Sequence, residues 1–209
     1  MKKLICISGW RRNGKDTIAD YLVEKHGYKK LSLAEALKND VCHVFNLNPI
    51  CVFNDQAKDL PLAHLPVEEK TDSISQTMLD TVKGEFKNGH LTPRALCILL
   101  GSLGRAVQND FWVNKVLAQL DPNVNYVIPD LRFQSELASL SKCTTHKAVF
   151  TRVQRFDTVD SVNASERDLD AHTFDYMFSN RSGISDLHAS VEEFLNKLAS
   201  EDAGEHNES

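Results

Sequence analysis

The stretch Gly9-Trp-Arg-Arg-Asn-Gly-Lys-Asp-Thr17 has nearly the spacing of a phosphate-gripping loop, G-x-x-x-x-G-K-[ST]. Asp16 stands where a hydroxyl is expected, and Thr17 supplies that hydroxyl one place late. Such a loop works between a buried strand and a helix, where backbone N–H groups and the helix dipole converge on an anion. Gly9 and Gly14 let the chain curl, with Asn13 inside the curl. Lys15 is expected to reach the β- and γ-phosphates of ATP, and Thr17 the region of the α-phosphate. A carboxylate beside a polyphosphate is repelled unless a cation lies between them, which points Asp16 toward Mg²⁺. The plainer alternative is an acid in the first turn of a helix, favoured there by the dipole.

A second acid of this kind stands at the end of the apolar run Tyr126-Val-Ile-Pro-Asp130. Alone, Asp130 reads as a helix cap; paired with the loop, it reads as a metal- or phosphate-side carboxylate. Arg132 follows, suited either to a phosphate or to the surface. Arg152, Arg155 and Arg167 flank a polar stretch without periodicity, RVQRFDTVDSVNASERD.

These residues need a frame, and the pattern of the chain supplies one. Lys2–Ser8 carries four contiguous apolar residues, as in a central strand covered on both faces. Ile18, Ala19, Leu22 and Val23 recur at helical spacing from Lys15 to His26, with Gly27 as the cap. Further strands are expected at Tyr28–Leu33, Asn125–Pro129, Ala148–Val153 and Phe174–Phe178. Helices are expected at about Ala34–Phe45, around Ile74–Val82, from Thr92-Pro93 through Leu103, from Asp110 to Leu120, and at Phe133–Leu140 and Ile184–Leu198. The stretch NLNPICVFNDQAKDLPLAHLP holds three prolines and reads as an irregular excursion. The alternation predicts an α/β fold with one parallel sheet wrapped by helices.

Composition narrows the setting. With 209 residues, 42% apolar and 25% charged, the chain suits one globular domain of about residues 1–200. No apolar run approaches the ~20 residues that span a bilayer, and MKKLICISGW reads as a first strand rather than a leader. Five scattered cysteines without a C-x-x-C pair suit reduced thiols in the cytoplasm. The net charge of −5 is mostly that of the last nine residues, EDAGEHNES, expected to form a disordered acidic tail over 201–209. Nothing suggests a nucleic-acid polymer or a membrane as partner.

Five blocks then resemble one family, the deoxynucleoside monophosphate kinases of bacteriophages. They are GKDT, LSLAEALK, LTPRALCILLGSLGRAVQNDFWV, YVIPDLRFQSE and SERDLDAHTFDYMFSN, in family order between Lys2 and Asn180. The GKDT form of the loop is the family's own. The resemblance implies a P-loop kinase fold: a five-stranded parallel sheet flanked by helices, a helical substrate-binding region at about 46–121 and a lid at about 153–173. It implies γ-phosphoryl transfer from ATP to a deoxynucleoside 5′-monophosphate with Mg²⁺, in a host cytoplasm. By resemblance, Gly9, Asn13, Gly14, Lys15, Asp16 and Thr17 hold ATP and metal, with Arg152 and Arg155 closing from the lid. Arg11, Lys38, Arg94, Trp112, Asp130, Arg132 and Glu136 stand on the acceptor side, Trp112 by stacking on the base or, alternatively, as core. Lys15, Arg11, Arg132 and Asp130 are the catalytic set, and Asp16 and Asp130 the metal acids. Trp10 reads as packing. Ser165-Glu166 resembles a family pair without an assigned role. The stretch between the second strand and Thr92 is shorter than in typical members, so base preference transfers least. The last helix leaves monomer and homodimer open. Two rivals remain: another small-molecule P-loop kinase, such as one for dephospho-coenzyme A or a sugar acid, and a nucleotide-binding regulatory protein.

Overall fold

The computed structural model describes residues 1–65, 80, 82, 87–155 and 167–205. The helix expected around Ile74–Val82, most of the expected lid, the Ser165-Glu166 pair and the last four residues lie largely or wholly outside them. Contacts divide the chain into two units, Met1–Ser32 with Leu117–Ser209, and Leu33–Val116.

The first unit is built on five strands: β1 (Lys2–Ser8), β2 (Lys29–Lys30), β3 (Tyr126–Ile128), β4 (His146–Gln154) and β5 (Tyr176–Ser179). They form one parallel sheet in the order β2-β3-β1-β4-β5. β1 is central, and from Lys3 to Ser8 every residue is buried. Leu4, Ile5, Cys6 and Ile7 are all fully covered, so both faces of the strand are packed, as a contiguous apolar run requires. Helices α1 (Lys15–His26) and α7 (Ile184–Glu205) bring Ile18, Ala19, Leu22, Leu187, Val191, Phe194 and Leu198 into one core with Ile5, Ile7, Val149, Val153 and Phe178. The apolar face of the last helix is therefore core.

α7 continues beyond its expected end to Glu205, so the tail foreseen over 201–209 is helical as far as Glu205. Asp202 explains the extension: its carboxylate pairs with Lys3 at 2.6 Å and Lys147 at 3.3 Å, tying the helix to the starts of β1 and β4. β2 is shorter than expected, because Leu33 already begins a helix.

The second unit packs α2 (Leu33–Val44), α3 (Pro49–Phe53), α4 (Pro93–Val107) and the start of α5 (Phe111–Leu117). Its core is Val41, Leu47, Val52, Leu62 and Leu96. α3 lies in the supposedly irregular stretch. Asn48 accepts from the Ile50 N–H at 3.0 Å and Pro49 takes the first turn, so the proline starts a helix instead of preventing one. α4 begins as the Thr92-Pro93 signal predicts, with Thr92 Oγ1 accepting from Ala95 N at 3.1 Å. In the first unit, α6 (Gln134–Leu140) connects β3 to β4. No helix among the described residues is long and apolar enough to cross a membrane. All five cysteines are free thiols.

Candidate active site

In a parallel sheet the carboxyl ends of the strands share one edge, and ligands bind there. β1 reaches that edge at Ser8, and the loop that follows must turn hard to enter α1. Gly9 sits at φ 146°, where a Cβ would come within 2.5 Å of the Val153 carbonyl oxygen. Gly14 sits at φ 107°, where a Cβ would press on Asn180 and Leu187. Arg12 is left-handed at φ 65° without being glycine, a conformation that costs about 1–2 kcal/mol and that the loop's bonds maintain.

Asn13 is the bolt of this loop. It is buried, its Nδ2 donates to Val153 O at 3.2 Å, and its own carbonyl accepts from Asn180 Nδ2 at 2.9 Å. Lys15 Nζ folds back over the loop, donating to Gly9 O at 2.7 Å and Trp10 O at 2.9 Å. The curl thus keeps a cation beside the first turn of α1, where N–H groups already point outward. Gly14 and Thr17 line a cavity of about 310 Å³ together with Arg12, Arg155, Asn180 and Arg181. A glycine cradle, a hydroxyl and three guanidinium groups around one cavity suit a polyphosphate.

Of the expected ATP-side residues, Gly14, Thr17 and Arg155 meet at this cavity, and Gly9, Asn13 and Lys15 build the loop beside it; Arg11, expected on the acceptor side, is exposed on the loop. Arg152 is a correction. It is buried on β4, donating to Leu169 O at 2.9 Å and pairing with Asp170, so its guanidinium holds a turn instead of closing over nucleotide. Asp16, expected beside Mg²⁺, has its carboxylate on the exposed side of the first turn, paired with Lys30 at 2.9 Å, a position the helix dipole also favours.

Asp130 stands just beyond β3, where Leu131 N donates to Ile7 O at 3.3 Å and so keeps the acid beside the end of β1. Its Oδ2 accepts from Ser32 Oγ at 2.7 Å. A hard oxygen donor with a hydroxyl beside it, next to a phosphate loop, suits Mg²⁺ that is held mainly by nucleotide phosphates and water. The described residues contain no cluster of three or more His, Cys, Asp or Glu side chains arranged to hold a metal by themselves. Arg132 is exposed. Glu136, expected on the acceptor side, instead caps α6: Oε2 accepts from Arg132 N at 2.8 Å and Phe133 N at 3.0 Å. Burial pushes its carboxyl up to about 7, against the pull of those two donors.

The remaining acceptor-side residues belong to the second unit. Arg94 pairs with Asp59 through both Nε and Nη2, the latter at 3.0 Å, and its N–H is held by Lys58 O at 3.0 Å. The guanidinium beside it holds the Asp59 carboxyl below the usual range. Lys38 lies over the Phe53 ring, 5.1 Å from its centre. Trp112 is a second correction, because it is core. It is only 6% exposed, donates through Nε1 to Gly101 O at 3.1 Å, and lies where a Cβ on Gly104 would approach within 2.7 Å.

Arg12, Asn180 and Arg181 are site residues that sequence reasoning missed. The signal for the latter two is the polar turn SNRSG between β5 and α7, a second strand-to-helix connection at the same sheet edge.

Strand, glycine cradle, lysine and arginine-lined cavity together have the architecture of a P-loop phosphate-binding site. The sequence model of the deoxynucleotide monophosphate kinase family matches residues 3–54, from β1 through α3. The loop and this match together support nucleotide-kinase activity. No curated protein gives a significant match. Among solved structures, dephospho-CoA kinase from Campylobacter jejuni aligns with TM-score 0.49 and 11% identity over 97% of this chain and 100% of its own. A Thermus thermophilus protein aligns at 0.48 and 15% over 94% and 98%. A sugar kinase from Janibacter sp. HTCC2649 aligns at 0.40 and 11% over 94% and 95%.

Proposed function

We propose that the chain transfers the γ-phosphoryl group of ATP to a deoxynucleoside 5′-monophosphate, with Mg²⁺, in the cytoplasm. An oxygen of the acceptor monophosphate attacks the γ-phosphorus, the bond to the β-phosphate oxygen breaks, and ADP and the deoxynucleoside diphosphate leave. The observation that carries the donor half is the glycine cradle with Lys15, opening on a cavity lined by Thr17, Arg12, Arg155 and Arg181. The acceptor class rests on the family match over residues 3–54. Phosphoryl transfer asks little covalent chemistry of the protein; positive groups must neutralise two phosphates brought in line. Lys15 and Arg11 supply charge from the loop and Arg132 from the turn after β3, while Asp130 with Ser32 would hold Mg²⁺. Lys38 and Arg94 bind the acceptor, with Asp59 orienting Arg94.

The test is ADP release from Mg-ATP against a panel of ribo- and deoxynucleoside monophosphates, with an acceptor-free control. Release with deoxy acceptors alone supports the proposal. Release without any acceptor points to a nucleotide-hydrolysing regulator, and silence across the panel to a different acceptor molecule. Lys15→Ala is expected to lower transfer by at least ~10²-fold while far-UV circular dichroism stays that of the wild type. Wild-type turnover in that variant removes Lys15 from the chemistry.

A further inference from the structure

Within the described end of the expected lid, shortly before β5, lies a turn, residues 167–171, that is held by more than its own backbone. Asp168 Oδ2 accepts from Gln134 N at 2.7 Å, and its carbonyl accepts from Gln134 Nε2 at 3.2 Å, which pins the turn to the first residue of α6. Leu169 is buried, and its carbonyl is held by Arg152 Nη1 at 2.9 Å. Asp170 Oδ1 then receives two donors: Arg152 Nη2 and, at 3.4 Å, the indole Nε1 of Trp10 in the phosphate loop.

Arg152 is an unusual residue to find in this role. It is only 5% exposed, its guanidinium lies 5.7 Å from the centre of the Phe174 ring, and its buried Nε has no hydrogen-bond partner among the described residues. An apolar side chain would fill such a place without an orphaned donor. What only the guanidinium provides is a fixed orientation for Leu169 O and the Asp170 carboxylate.

On the other side of that carboxylate, Trp10 leads directly to the lysine. Its carbonyl accepts from Lys15 Nζ at 2.9 Å and from Asn13 N at 3.2 Å. Asn13, through Val153 and Asn180, anchors the far arm of the loop. Asp170 reaches the near arm, through the residue whose carbonyl holds the ammonium.

We propose that Asp170 is a positioning residue of the phosphate loop, setting the place of Lys15 through Trp10, with Arg152 as its fixed support. The inference rests on the reading of Lys15 as the nucleotide-gripping lysine. It also assigns Trp10 a bonding role beyond packing.

The experiment measures Mg-ATP binding by calorimetry on the full chain for wild type, W10F, D170N and the double variant. Trp10 emission is isolated as the difference between each Trp10-containing protein and its W10F counterpart, Trp112 being common to both. W10F keeps an aromatic ring at this place and leaves the Arg152–Asp170 pair, so it tests the link even where D170N fails to fold. W10F is expected to weaken ATP binding roughly three- to tenfold, the loss of one long, exposed hydrogen bond. Its melting temperature should stay within ~2 °C of wild type. The double variant should bind no more weakly than the weaker single one, because both substitutions cut the same link. ATP should change Trp10 emission in the wild type and much less in D170N. ATP affinity unchanged in W10F, or losses that multiply in the double variant, overturn the inference while leaving the kinase reading intact. A wild-type chain that does not bind Mg-ATP overturns both.

Discussion

At Glu136, burial and hydrogen bonding pull in opposite directions, and burial wins, so the carboxyl titrates near 7 instead of near 4.5. The sign of the resulting pH dependence follows. Below the unfolded value both states are protonated, and this group's contribution to stability is fully present. As pH rises from ~4.5 the unfolded chain ionises first, and the contribution is lost progressively as pH passes through about 7. Glu136→Gln should remove this component: in thermal unfolding between pH 4.5 and 8, the variant loses less stability with rising pH than the wild type. Parallel curves would show that Glu136 is not the titrating group. Asp16 makes the same point without titration. Its position in the loop motif is that of a phosphate-side residue, but Lys30, on the strand that follows α1, pairs with its carboxylate on the exposed side of the helix.

At the scale of elements, local chemistry was readable at two helix ends. Thr92 caps α4 and Gly27 closes α1 at φ 67°, both as the sequence predicts. Thr92→Ala should cost about 1–2 kcal/mol in denaturant unfolding, with Thr92→Ser recovering most of it. An unaffected Ala variant would mean that Pro93 alone starts the helix. α3 escaped notice because three prolines suggest irregularity, whereas Asn48-Pro49 is a cap followed by a first-turn proline. The end of α7 escaped notice for a different reason. Its last turns are polar, and they are held by Lys3 and Lys147 far away in sequence.

At the scale of the molecule, the chain builds β1, α1 and β2, leaves at Leu33 for the helical unit, and returns at Leu117 for the remaining strands. The nucleotide loop belongs to the first unit, and Lys38 and Arg94 to the second. The first unit's core depends on α7, whose Phe194 packs edge-on to Phe178 with ring centres 5.3 Å apart and lies 4.9 Å from the Tyr176 ring. Phe194→Ala should therefore cost about 3–5 kcal/mol. Measured by chemical denaturation, a loss under ~1 kcal/mol would show that α7 is dispensable to that core.

The loop, the apolar central strand, the helix caps and the acid after β3 could be read directly from the sequence. Each depends on residues within a few positions of one another: glycine where φ must be positive, a hydroxyl before a helix, an apolar run covered on both faces. What Arg152, Asp16 and Trp112 do was decided by tertiary structure. Each carries a chemically versatile group whose partner, be it Asp170, Lys30 or a small-residue face of α4, becomes its partner only when the chain folds. The cavity has the same origin, since Arg12, Arg155 and Arg181 lie far apart along the chain and meet because parallel strands end on one edge.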